Sequence, residues 1–174
     1  MVMRTIIQGV MDLLKGREKI IVGKKEIMSI LPHRGRMLLL DQVIITDETV
    51  AGEFLVTEDV CEGHQFNGHP VFRGIDTLDM AAQLLGVWAA QHFNTGTLAV
   101  VRRYGETKFI DKVIPSDTLV VEINVKDLKI EIVGRPGREI KKAIGINFSA
   151  RVGKSSKAKI ALIELIVVDS QSLA

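Results

Sequence analysis

Ile75-Asp76-Thr77-Leu78-Asp79-Met80-Ala81-Ala82-Gln83-Leu84-Leu85-Gly86-Val87-Trp88-Ala89-Ala90-Gln91 reads as one helix with apolar residues around nearly its whole circumference. A helix without a polar face has to be wrapped by other elements. The stretch is too short to cross a bilayer, and Asp76, Asp79 and Gln83 make it too polar, so its wrapping is expected to be protein. Its alanines and Gly86 allow a sheet to approach closely.

The residues that follow supply the sheet. Leu119, Val121, Ile123 and Val125 alternate with polar or outward positions, the period of a strand with one buried face. Ile144, Ile146, Phe148, Ala150 and Val152 repeat the pattern against Gly145, Asn147, Ser149 and Arg151. Turn residues at Gly134-Arg135-Pro136-Gly137 and Gly153-Lys154-Ser155-Ser156 separate these strands from each other and from a third at 159–168, which predicts an antiparallel meander. Residues 98–114 read as a further, interrupted strand region. Upstream, 37–46 and 50–57 predict a β-hairpin turning at Asp47-Glu48, and 24–31 predicts a short helix that must stop before Pro32. Ile6, Ile7, Val10, Met11 and Leu14 at helical spacing predict an amphipathic helix over 3–15, ended by Gly16. The expectation is one α+β domain over 1–174, a curved antiparallel sheet wrapped around one long apolar helix, with 1–23 as an N-terminal helical extension.

Composition narrows the function. The chain has 174 residues, 23 Lys and Arg against 21 Asp and Glu, and a net charge of +2, which gives no broad positive field to hold a nucleic acid. A single cysteine, Cys61, rules out an internal disulfide or a paired-cysteine metal site and suits a reducing compartment. Gln8, Asp12 and Lys15 interrupt any apolar run of signal-peptide length, so the expected location is cytoplasmic, with no membrane partner.

The segment before the helix carries the chemistry. Between Gly63 and Gly74 stand three glycines, His64, His69, Asn67 and Pro70, a shaped loop that feeds a helix N-terminus. Free N–H groups and the helix dipole at such an end favour negative charge, as on a carbonyl oxygen becoming an oxyanion. Asp76, Asp79 and Gln83 fall on one helix face. Two roles are open for the acids: they act chemically, or Asp76 caps the helix while Asp79 bonds loop amides. His64, His69 and Asp79 have no known metal-ligand spacing.

These residues resemble the 3-hydroxyacyl-[acyl-carrier-protein] dehydratases. Phe66, Gly68, Pro70, Gly74, Leu78, Asp79 and Gln83 match that family's signature in one gap-free register. Ile30-Leu31-Pro32-His33-Arg34 with Met37-Leu38-Leu39-Leu40-Asp41, and Phe109 to Pro115-Ser116-Asp117, match its opening block and later turn, so the likeness spans about residues 26–168. The resemblance implies a hot-dog fold, a homodimer or higher homo-oligomer with sites at the subunit interface, and no cofactor or metal. It implies an acyl thioester substrate carried on acyl carrier protein, and dehydration or the reverse hydration in fatty-acid-type metabolism.

Carried over by position, Asp79 is the acid, the Gly74 amide binds the thioester oxygen and Gln83 orients Asp79. Gln65 falls where the family has its catalytic histidine, and His64 stands one residue earlier as the alternative base. His69 occupies a variable position before Pro70. Phe66, His69 and Arg73, the last in place of a proline, are the further substrate-side residues. Met80, Leu84 and Trp88 are candidates for an acyl tunnel. Arg34, Arg36, Arg102, Arg103, Lys108 and Lys112 are candidate contacts for an acidic carrier. Gln65 also motivates an alternative, a non-catalytic acyl-thioester binder or regulatory protein. A third alternative is a hot-dog thioesterase in which Asp79 activates water; the absence of a His-Gly-Gly segment before the helix weighs against it.

Overall fold

The computed structural model describes residues 19–93, 97–135 and 138–169, so the helix expected at 3–15 lies outside the described residues. Strands β1 (Ile20–Gly23), β2 (Gln42–Ile45) and β3 (Thr49–Leu55) are followed by a two-stranded hairpin, β4 (Gln65–Phe66) and β5 (His69–Pro70). After the long helix come β6 (Thr97–Tyr104), β7 (Thr107–Phe109), β8 (Thr118–Asn124), β9 (Leu128–Val133), β10 (Ile140–Val152) and β11 (Ser155–Asp169). Nine of these strands form one sheet in the order β1-β2-β3-β8-β10-β11-β6, with β7 on β11 and β9 on β10. Every pairing is antiparallel. Among the described residues two α-helices accompany it, α1 (Lys24–Ile30) and α2 (Gly74–Ala89), and the wrapped helix is the hot-dog arrangement.

Ile20–Gly23 pairs with β2, so the last four residues of the segment expected as a helical extension belong to the sheet. α1 ends at Ile30, as Pro32 requires, and Glu26 accepts the Gly23 N–H at 2.9 Å to close its first turn. The first strand of the expected hairpin is shorter than its apolar run. Gly35–Met37 is a 3₁₀ turn, and Leu38–Leu40 are buried without joining the sheet. The Leu39 N–H is taken by the side chain of Gln83, so it has no strand partner to serve.

α2 buries Met80, Leu84, Leu85 and Val87 completely, each a gain of about 1.5–3 kcal/mol. Gly52 of β3 sits under Leu84 so closely that a Cβ there would lie 3.2 Å from it and 2.5 Å from Leu40. At Gly86, by contrast, the close neighbour is not the sheet but Leu31, at the end of α1.

The sheet is bent along a line, and there the two-residue period fails. Ala143 is buried on one side of that line and Phe148 and Ala150 on the other, while Ile146 is 41% exposed. Asn147, at φ 61°, shifts the alternation of β10, so Ile144 and Ile146 do not share a face with Phe148 as their spacing suggested. β11 makes the same change between Ile160 and Ile163. On one flank a 3₁₀ turn at Val125–Asp127 separates β8 from β9, both of which lie along β10. On the other flank Gly105 and Glu106 separate β6 from β7, and Gly105 donates to Leu162 O at 2.8 Å.

A Cβ on Gly105 would meet Leu162 Cβ at 2.7 Å and its backbone nitrogen at 3.1 Å, so the neighbouring strand itself would have to move. We expect Gly105→Ala to lower the unfolding free energy by about 1–3 kcal/mol in equilibrium urea denaturation. An unchanged midpoint and slope would show that the bend does not need this contact.

Candidate active site

The hairpin before α2 is set by its turn. Asn67 and Gly68 both have positive φ, 51° and 78°, as a two-residue type I′ turn demands. Gln65 then faces Pro70 and Phe66 faces His69. One step further back, Val71 donates its N–H to His64 O at 3.0 Å. Alternation puts His64 and Phe66 on one side, where their rings meet edge to face at 5.1 Å, and turns Gln65 to the other. Gln65, Phe66 and His69 are exposed, and His64 is half-buried.

His64 Nδ1 lies 2.7 Å from Val71 O. A carbonyl can only accept, so Nδ1 carries the hydrogen and Nε2 of the neutral ring keeps its basic lone pair. The ring lines a pocket of about 590 Å³ together with Arg73, Gly74, Phe109, Lys112 and Lys157. Phe72 donates to Val113 O at 2.9 Å and ties the loop to the segment after β7. Gly74 opens α2, and the Phe109 ring packs so near that a Cβ would lie 2.9 Å from it. The first N–H groups of a helix have no acceptor within it, and among the described residues the Gly74 amide has no other acceptor, so it is a donor beside this pocket. Lys157, its side chain 11% exposed, pairs with Asp111 at 2.6 Å on the pocket wall and holds the Asp111 carboxyl below its usual range.

The two acids of the helix are separated by their partners. Arg73 donates from Nε and Nη2 to both carboxylate oxygens of Asp76, at 2.8 and 2.7 Å, so Asp76 neither caps the helix nor pairs with Asp79. Asp79 accepts from Gln83 Nε2 at 2.8 Å. That same nitrogen donates to Met37 O at 2.7 Å, and Gln83 Oε1 accepts the Leu39 N–H at 3.0 Å. Gln83 is 2% exposed, so it is a fixed strut between the Met37–Leu39 chain and the Asp79 carboxylate. Asp79 bonds Gln83 and not loop amides.

Burial first, and then the charge of Asp79, push the Tyr104 phenol up to about 12. Tyr104 was not foreseen as a neighbour of the acid. No sequence spacing links the two, and only the pairing of Tyr104 with Ile163 brings β6 there. Among the described residues no hydrogen bond or ion pair joins His64 to Asp79, and Asp79 does not line the His64 pocket. Asp79 lies five residues beyond Gly74, about 7.5 Å along the axis.

Other expected residues are dispersed. Met80, Leu84 and Trp88 belong to the core. Arg34 bonds the carbonyls of Leu31 and Met28, Arg36 pairs with Glu62, and Arg102 pairs with Glu164, so the candidate carrier contacts do not form one free patch. Lys108 lies opposite Lys159 across β7 and β11, and Lys112 is at the pocket. Among the described residues no three His, Cys, Asp or Glu side chains are grouped to hold a metal ion, and no helix is long and apolar enough to cross a membrane.

Comparison with known proteins identifies the family and the fold. The chain is 33% identical over 118 residues to a 3-hydroxyacyl-[acyl-carrier-protein] dehydratase of Fusobacterium nucleatum, covering 65% of this chain and 82% of that protein. It is 36% identical over 126 residues to the enzyme of the same name from Enterococcus faecalis, covering 69% and 86%. Its fold is similar to a chain of the dehydratase heterocomplex ApeI:P from Xenorhabdus doucetiae, with a TM-score of 0.58 at 17% identity over 84% of this chain and 93% of that one. Residues 31–137 match the FabA-like domain, and with the matching fold and helix they make this chain a member of the FabA-like domain family.

Proposed function

We propose that the protein dehydrates a 3-hydroxyacyl thioester, or hydrates the corresponding enoyl thioester, with the acyl group on acyl carrier protein, in cytoplasmic fatty-acid-type metabolism. The observation that carries this reading is the pairing of a tautomer-fixed histidine with a free helix-entry amide on one pocket. His64 Nε2 is the base that removes the proton next to the carbonyl. The Gly74 N–H receives the thioester oxygen as it gains negative charge, helped by the α2 dipole. Asp79, aimed by Gln83, takes up a proton from solvent and gives it to the departing hydroxyl, which leaves as water, while the proton taken by His64 is released to solvent. Gln65 has no proton-accepting group at neutral pH and faces away from His64, so it is a hairpin residue in this mechanism.

The acid and the base are unconnected within one chain, which favours a site completed by a second copy. Phe66, 60% exposed on the β4–β5 hairpin, and the exposed Val100 and Val101 of the terminal strand β6 are apolar surface suited to that contact. The assembly is then a homodimer or a multiple of one, with the substrate between copies.

Two outcomes test this. In an absorbance assay of crotonyl-thioester hydration, His64→Ala reduces turnover by a factor of order 10² or more, whereas Gln65→Ala changes it little. The reverse pattern, or thiol release in place of hydration, overturns the assignment. Light scattering at micromolar concentration finds a dimer or larger; a stable monomer with full activity contradicts the shared site.

A further inference from the structure

Arg73 and Asp76 form a two-point ion pair at the reacting end of the pocket, and the mechanism above gives it no task. Arg73 is the N-cap residue of α2 and Asp76 its third helical residue, with the Asp76 N–H on Arg73 O at 3.0 Å. A carboxylate at that third position ordinarily turns back to the free N–H groups of the helix start. α1 shows the ordinary case in this same chain, where Glu26 at the third position accepts the Gly23 N–H at 2.9 Å. In α2 both carboxylate oxygens are held by the guanidinium, and the helix has no side-chain cap. The Asp76 side chain is only 11% exposed, so without Arg73 it needs another donor from the protein, and the amides of a helix start are the groups a third-position carboxylate turns to.

We propose that Arg73 is a positioning residue that holds the Asp76 carboxylate away from the start of α2 and so keeps its negative charge off the Gly74 amide that receives the developing oxyanion. This rests on the dehydratase reading of the pocket and deepens it, replacing the expected role of Arg73 as a substrate contact. A carboxylate that capped the helix as Glu26 caps α1 would take the N–H of the N-cap position 73, next to that of Gly74, and set a negative charge where the enolate forms. It would also stabilise the helix, so activity and stability move in opposite directions when Arg73 is lost.

The test compares full-length wild type, Arg73→Met and Arg73→Met/Asp76→Ala, by hydration kinetics, thermal midpoint and the Gly74 amide proton shift after selective ¹⁵N-glycine labelling. Arg73→Met is expected to lose about 10²-fold in kcat with little change in KM, as for the loss of an oxyanion donor. Its thermal midpoint is held or raised, and its Gly74 amide shifts downfield. Adding Asp76→Ala restores most of kcat and reverses the shift, because the competing carboxylate is gone. A double variant as slow as the single one, or an unmoved Gly74 amide in Arg73→Met, overturns the proposal and makes the pair a plain brace. If Arg73→Met does not fold, Arg73→Lys serves, since an ammonium cannot clamp both oxygens. The amide shift needs no substrate. A wild type without hydratase activity that still shows the shift and its reversal removes the dehydratase reading and leaves the role of Arg73 standing.

Discussion

A helix with no polar face can exist in water only if something surrounds it, and the rest of this structure follows from surrounding α2. Its complete burial along Met80, Leu84, Leu85 and Val87 calls for a broad sheet that bends around it. The bend comes at Asn147, at Gly105 and at the 3₁₀ turn of Val125–Asp127, where strands shift face or break. Once the sides of the helix are sealed, its ends are left to meet other groups. The N-terminal end carries free amides and a partial positive charge, and the His64 loop and Phe109 close around it.

The same burial explains why a polar side chain can be used as a fixed part. Gln83 sits where water is excluded, so its amide must be satisfied by protein. It is satisfied by Met37, Leu39 and Asp79, which fixes the direction of the acid from the core outward. Arg73 and Asp76 place a second constraint at the helix start, this one between charges on the pocket wall. His64 is held by a backbone carbonyl, the Gly74 amide by helix geometry and Asp79 by a buried amide. None depends on a flexible side chain alone.

Much of the fold was legible because burial leaves a pattern in the sequence. The apolar circumference of 75–91 predicted the wrapped helix, and Leu119, Val121 and Ile123 predicted the inward face of β8 correctly. The pattern misled where backbone geometry intervened. Asn147 is one residue in a left-handed conformation, and its effect on the faces of Ile144 and Ile146 cannot be seen from alternation. The run 37–46 looked like a strand because it is apolar, but part of it is held by Gln83, a contact across 44 residues. In the site, the gap-free register placed Gln65 at the histidine position. The Asn67-Gly68 turn puts His64 and Gln65 on opposite sides of the hairpin, and His64 is the one that lines the pocket. Tyr104 and the Arg73–Asp76 clamp were invisible, the first because it depends on strand pairing and the second because two charges three residues apart do not announce their geometry.

The central claim is that His64 and the Gly74 amide of one copy work with Asp79 of another. The most direct measurement mixes two inactive variants, His64→Ala and Asp79→Asn, separately tagged, unfolded together and refolded, with hydration activity read on the mixture and on the purified hybrid. Random reassociation makes half of the dimers hybrids, each with one intact site of two, so the account predicts roughly a quarter of wild-type activity in the mixture. A purified hybrid no more active than either variant alone would contradict it and place the whole site within one chain.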